Sequence, residues 1–362
     1  MKLGSLFSGA GGLDIAVEQF FGARTVWHCE LNPAASKVLA HRWPGVPNLG
    51  DITAVDWSEV EPVDILAGGF PCQDVSAAGR RAGIAEGTRS GLWALFAEVI
   101  NQLRPGVVVI ENVRGLLSAR AYRAMESEEA AVGDGADGPV LRALGAVLGD
   151  LADLGYDAQW ITLAASDVGA PHRRERVFIL ATPVASSASL GELARGASAQ
   201  ETGTQPSDGS GDHRREQPAG DSDGHQNTLP GTVRDLLPTP SASDGTGGGQ
   251  HPDRREGHSR QLCDYALLDG TSRWGKYAAA IARWEAVAGP APSPTEPNKN
   301  GNPRLTAAFP EWMMGWPAGW VTAVPGISRN DALRICGNGV CPQQAYAALQ
   351  ILVRVSACEV AE

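Results

Sequence analysis

The chain has 362 residues, 43% of them hydrophobic, and a formal net charge of −11. That is enough apolar material for one large core or a core with a smaller companion, and the acidic balance excludes a protein that coats nucleic acid by bulk positive charge. No run of about 18 apolar residues occurs, so no membrane span is expected.

The opening MKLGSLFSGAGG lacks the length and cleavage pattern of a signal peptide. Six cysteines, at 29, 72, 263, 336, 341 and 358, form no C-x-x-C. Zinc ligation and a disulfide framework are therefore not expected, and the expectation is a metal-free cytoplasmic protein. Local basic runs must carry any contact with a polyanion. HRRER at 172–176 and DRREGHSR at 253–260 are the candidates, weighed against simple solvated arginines.

In chain order, strands are predicted at 2–7, 24–29, 63–66, 106–111, 157–163 and 176–181. Apolar residues at helical spacing lie between them, at 12–20, 33–42, 91–103 and 139–154. Strands alternating with helices predict an α/β fold, a sheet with helices on both faces. From about 183 to 235 the chain is rich in Gly, Ser, Asp and Gln and too polar to offset its own ordering entropy. Turn signals then dominate 236–300, around one helical stretch at 273–287, and apolar pattern returns after 301, with an amphipathic helix predicted at 341–355. The expected organisation is a cofactor-binding unit over 1–182, a flexible insertion at 183–235, a smaller recognition region at 236–300, and a segment at 301–362 that rejoins the first unit.

SLFSGAGGLD (5–14) reads as a strand, a glycine turn and a helix, a geometry that lets backbone approach a ligand at a helix N-terminus. Glu30 ends the second strand about 20 residues on, where an acid can hold ribose hydroxyls. Asp51, in LGDIT, is in reach of an adenine amine or serves as a helix cap. These features suit NAD and S-adenosyl-L-methionine equally.

GGFPCQDVS (68–76) puts Cys72 on a rigid turn beyond an apolar strand, where open α/β sheets bind substrates and where a thiolate has access. VVVIENVRG brings Glu111 to the adjacent strand behind buried apolar residues that favour its protonated form. A thiolate and a protonatable carboxyl beside an adenosine cofactor point to cytosine chemistry. Addition of sulfur at carbon 6, with a hydrogen bond at ring nitrogen 3, makes carbon 5 nucleophilic towards a methyl group. Loss of the carbon-5 proton and the thiol then restores the ring.

The order F-S-G-A-G-G, G-G-F-P-C-Q, E-N-V, an R-x-R run, a variable segment and G-N-G-V resembles the DNA (cytosine-5) methyltransferase family. The resemblance covers 1–182 and 301–362. It implies a Rossmann-like methyltransferase fold with S-adenosyl-L-methionine as cofactor. Phe7, Gly9, Gly11, Gly12, Glu30, Asp51, Ile52, Pro71, Leu92, Asn338 and Val340 fall at cofactor positions. Cys72 falls at the nucleophile, Glu111 at the nitrogen-3 partner, and Arg174 and Arg176 at arginines supporting the flipped base and its phosphates. His172 stands where the family has Gln, and its protonation is expected to be pH-sensitive near neutrality. Trp312, Trp316 and Trp320 sit four apart around Pro317 and are expected to brace packing rather than stack on bases.

The implied partner is double-stranded DNA, from which the target base must be flipped at a cost of a few kcal/mol. Gln73, Ser76, Arg80 and Arg81 lie in the glycine-rich loop after Cys72 and are the candidate DNA contacts, and site choice is expected in 236–300. The resemblance also implies a monomer, and a cognate restriction endonuclease acting on the same site without direct contact. An RNA cytosine-5 methyltransferase on the same scaffold and a catalytically silent DNA-binding regulator are the alternatives. The first usually has a compact recognition region with a C-F-T element, absent here. The second would not need Cys72 and Glu111.

Overall fold

The computed structural model describes residues 1–71, 91–118, 120–121, 141–184, 236–245, 262 and 274–359. Its centre is a six-stranded sheet of β1 (Lys2–Leu6), β2 (Arg24–Cys29), β3 (Ile65–Gly68), β4 (Val107–Val113), β5 (Tyr156–Ala164) and β6 (Glu175–Pro183). The order is β2-β1-β3-β4-β6-β5. β1, β2, β3 and β4 pair in parallel, whereas β6 runs antiparallel to both β4 and β5. The parallel part therefore brings the carboxyl ends of β1, β3 and β4 to one edge, where such sheets bind ligands.

Strand alternation separates two apolar layers. Val108 and Ile110 of β4 join Leu6 and Leu66 in one core, with Trp93, Phe96 and Ile100 of helix α3 (Gly91–Leu103) and Val147 and Leu151 of α4 (Ala143–Asp153). Val107 and Val109 face the other way, into a core with Leu13 and Val17 of α1 (Gly12–Phe21) and Leu349 and Val353 of the C-terminal helix, Pro342–Glu359. β4 is covered on both faces, so its VVVI reads as a continuous apolar run. α2 (Pro33–Arg42) starts with Pro33 behind Asn32, whose side chain accepts from the Ala34 and Ala35 N–H groups.

A third core forms the second lobe. It packs Trp284 of α5 (Ala278–Ala288) with Phe309 and Trp312 of α6 (Ala308–Met313) and with Leu333 and Cys336 of α7 (Arg329–Asn338). The final helix, Pro342–Glu359, is α8. Buried Glu311 organises the turn after α6, accepting from the Gly319, Val321 and Thr322 N–H groups and from the Thr322 hydroxyl. Indole N–H groups tie this lobe together and to the glycine turn after β1. Trp312 donates to Gly289 O, Trp316 to Val340 O and Trp320 to Ala10 O. Among the described residues, no helix is long and apolar enough to cross a membrane.

Candidate active site

A cleft opens where β1 and β3 end. Phe7, Gly9, Gly12, Glu111, Asn338 and Val340 line it, so the first strand, the glycine turn, β4 and the GNGV loop meet in one place. Phe7 has φ 52 and Gly9 φ 56. A phenylalanine in the left-handed region is unusual and strained, and it turns the chain sharply out of β1. Its N–H stays bonded to Cys29 O at 2.8 Å.

Glu30 fastens this turn. One carboxylate oxygen accepts from the Gly9 N–H at 2.8 Å and the other from the Asn32 N–H at 2.7 Å. Asn48 grips the Glu30 main chain at both N–H and C=O. Gly11 caps α1 with φ 79. Asp51 caps the short 3-10 turn Ile52–Ala54, accepting from the Thr53 N–H and hydroxyl. Those bonds hold its carboxyl below the ordinary carboxylate range. The capping alternative for Asp51 is thus realised in the geometry, while Ile52 is buried in the first core. Leu92 packs half-buried against that core.

Glu111 lies 2.7 Å from Arg176 Nε through its Oε1. Its other oxygen faces Gly69, where an added Cβ would sit 2.9 Å away. A side chain there would crowd the carboxyl in the position where Arg176 holds it. Burial raises the Glu111 pKa, and Arg176 and Arg174 partly oppose that rise. The group therefore keeps its proton to higher pH than an ordinary carboxylate. Asn112, next on β4, donates to Phe70 O at 3.1 Å, which anchors the chain just before the exposed Pro71. Cys72, Gln73, Ser76, Arg80 and Arg81 lie outside the described residues.

The arginines of HRRER diverge. Arg176 turns to Glu111. Arg174, at φ 35, is buried and donates to the carbonyls of Pro240, Gly337 and Gly339. It knits the GNGV loop to the segment at 236–245 and does not meet the Glu111 carboxyl directly. Gln344 supports it by donating to Arg174 O and Leu163 O, both at 2.8 Å. His172 corrects an expectation. It is fully buried, with Nε2 3.0 Å from Met313 O, and burial, helped by Arg174, pushes its pKa down to about 3. It is neutral throughout the physiological range and no pH sensor.

Sequence reasoning passed over Asp14 and His28. Asp14 borders the cleft from the first turn of α1, fully buried, 3.9 Å from the buried His28 Nε2. An acid two residues after a glycine turn and a histidine on the next strand were the available signal.

As a cradle for an adenosine cofactor, the residues fit. A Cβ at Gly12 would come within 2.3 Å of Val340 O, so the two loops can close around a ligand only with glycine there. The turn also offers backbone close to a helix N-terminus.

A family model described as C-5 cytosine-specific DNA methylase matches residues 1–354. The chain is 36% identical over 186 residues to the type II methyltransferase M2.BsuMI of Bacillus subtilis, covering 50% of this chain and 42% of that protein. It is 33% identical over 184 residues to the type II methyltransferase M.NlaIV of Neisseria lactamica, covering 49% and 40%. The match thus spans about two-fifths of the length of these relatives. Among solved structures, the S. pombe Dnmt2 methyltransferase shares the fold, with a TM-score of 0.55, 13% identity, and coverage of 98% of this chain and 99% of that one.

Proposed function

Because the chain belongs to the C-5 cytosine-specific DNA methylase family, we propose that it methylates carbon 5 of a target cytosine flipped out of double-stranded DNA. The observation that carries this reading is the Glu111–Arg176 pair, 2.7 Å apart and bordering the glycine cleft. It joins an acid with a raised pKa to a fixed cation at the edge of a ligand site.

S-adenosyl-L-methionine, when bound, supplies an activated methyl group. Phe7, Gly9, Gly12, Asn338 and Val340 would hold it, with Glu30 fixing the glycine turn. Gly11, Asp51, Ile52, Pro71 and Leu92 belong to the same proposed binding set, the last two from its border. Cys72 would add to carbon 6 of the cytosine as thiolate. Glu111 would donate a hydrogen bond at nitrogen 3, so that the ring's electron pair becomes available at carbon 5. Arg176 holds the carboxyl in position, and Gly69 leaves room for it. Once carbon 5 carries the methyl group, a base takes its proton and the Cys72 sulfur leaves, restoring the ring.

Gln73, Ser76, Arg80 and Arg81 are proposed to meet DNA, and 236–300 to choose the site. The segment 183–235 is proposed as a passive insertion. A restriction endonuclease reading the same site is proposed as a functional partner without physical contact, and the protein as a monomer.

The test is transfer of labelled methyl groups to unmethylated DNA and to tRNA. DNA alone is expected to be labelled at cytosine carbon 5, and Cys72→Ala to abolish labelling while DNA still binds. Duplex DNA carrying 5-fluorocytosine should trap the wild-type protein in a complex stable to denaturant, because fluorine cannot leave as a proton. Labelling of tRNA alone, or full activity in the Ala variant, would overturn the reading.

A further inference from the structure

Two arginines near the carboxyl end of β4 face solvent. Arg114 opens the 3-10 turn directly after β4, and Arg173 lies two residues before the start of β6. Their side chains are 62% and 67% exposed, yet both are fixed by one carboxylate. Arg114 Nη1 lies 2.8 Å from Glu175 Oε2, and Arg173 Nη2 lies 2.7 Å from Glu175 Oε1. The antiparallel register that pairs Val113 with Arg176 brings the two segments together. Glu111 is three residues back along β4, about 10 Å at the usual strand rise.

Each guanidinium gives one terminal nitrogen to Glu175. Among the described residues, no other partner holds the remaining side-chain donors of either fork. A carboxylate that accepts from two arginines at once leaves a local surplus of positive charge. In a chain of net charge −11, a polyanion must be met by such local surpluses. Arginine forks held in place lose less entropy on binding phosphate than free ones.

We propose that Arg114 and Arg173, clipped by Glu175, form a two-pronged seat for the phosphates of the DNA strand whose cytosine reaches Glu111. The inference rests on the function proposed above. Each prong is a charged contact to backbone, so it adds affinity and positions the strand without reading sequence.

The experiment measures affinity of the full chain for sheared unmethylated genomic DNA over a fourfold range of NaCl, for wild type, Arg114→Gln, Arg173→Gln, the double variant and the two Arg→Lys variants. Neutralising one phosphate contributes about 0.9 to the slope of log affinity against log salt. Each Gln variant should lose about 0.9 of slope and the double about 1.8. Over that range the gap between wild type and each single variant should close about threefold. The Lys variants should keep the slope, and cofactor binding should stay as in wild type. In parallel, phenylglyoxal labelling of wild type should show Arg114 and Arg173 protected by DNA. That measurement decides the matter even if a Gln variant does not fold. Unchanged slopes, or labelling of both arginines undiminished by DNA, would overturn the seat. A wild-type protein that neither binds nor methylates DNA would instead sink the proposed function.

Discussion

The carbonyl oxygen of Val340 occupies the space that a side chain on Gly12 would need: a Cβ there would lie 2.3 Å from it and 3.0 Å from Trp316 Nε1. Trp316 itself donates to Val340 O at 3.0 Å. The glycine turn and the GNGV loop, from opposite ends of the chain, are thus packed backbone to backbone beside the cleft. Gly12→Ala must push them apart, at about 1–3 kcal/mol of overpacking. Gly9 has open space around it but φ +56, so Gly9→Ala costs only the left-handed penalty of about 1–2 kcal/mol. Melting curves should therefore rank Gly12→Ala as the more destabilising of the two. Equal effects would remove the loop-docking explanation.

Glu111 gives a prediction in pH. Burial raises its pKa, with Arg176 and Arg174 opposing. A carboxyl raised in the folded state contributes stability at low pH and loses it as pH rises through the raised value. If the protonated form serves nitrogen 3, activity should decline on the alkaline side as that proton is lost. Arg176→Met removes the main opposing charge and should move the alkaline limb to higher pH while lowering the maximal rate. Glu111→Gln keeps a donor but cannot exchange a proton, and about 10²–10⁴-fold loss of rate is expected. A pH–rate profile in which Arg176→Met leaves the alkaline limb in place would separate Glu111 from it.

The fold was largely legible. The strand predicted at 24–29 is Arg24–Cys29, and the helix predicted at 33–42 is Pro33–Arg42, because β-branched and aromatic residues in one case and a Pro-led, Asn-capped pattern in the other act locally. The helix predicted from 139 starts at Ala143, and that predicted from 273 starts at Ala278, since helix starts depend on neighbours that propensity does not see. The cleft was legible as a set of loops, through FSGAGG, Glu111 and GNGV. The fates of the arginines were not. HRRER offers three alike, and only the register Val113↔Arg176, together with carbonyls at Gly337 and Gly339, decides which one turns to Glu111, which is buried and which is exposed. That information comes from partners distant in sequence.

Asp14 and His28 make a second prediction in pH, on stability alone. Burial raises Asp14 to about 7, with the Ser5 hydroxyl working against it, and burial lowers His28. Asp14, ordinarily ionised above pH 4, therefore stabilises the fold at low pH and loses that contribution as pH rises towards 7. His28 acts in the opposite sense, losing its contribution as pH falls below its ordinary value. Asp14→Asn removes the first effect only. The stability difference, variant minus wild type, should therefore climb in favour of the variant between about pH 4 and pH 7, by up to about 1.4 kcal/mol per pH unit, and level off above. Urea titrations at four pH values measure it. A flat difference would mean that Asp14 ionises normally despite its burial.

Arg174 and Arg176 are separated by what they touch. Arg174 satisfies three backbone carbonyls, those of Pro240, Gly337 and Gly339, from a buried position. Burial, with Arg176 adding repulsion, pulls its pKa down to about 9, so it remains charged at neutral pH. Its removal strands those carbonyls, each at about 1–3 kcal/mol where water cannot reach, and frees the GNGV loop that forms one wall of the cleft. Arg174→Leu should accordingly lower the melting temperature and raise the cofactor KM together. Arg176→Leu strands Glu111 instead. Its effect should fall on the rate at saturating cofactor and on the pH profile, with a smaller change in melting temperature because Glu111 can take up a proton rather than remain a buried unpaired charge. Paired measurements of melting temperature, cofactor KM and kcat on the two variants decide the assignment. If Arg174→Leu keeps wild-type stability and cofactor affinity but loses kcat, then Arg174 leaves its carbonyls on binding DNA and acts on the flipped nucleotide, and the brace seen here is its resting position.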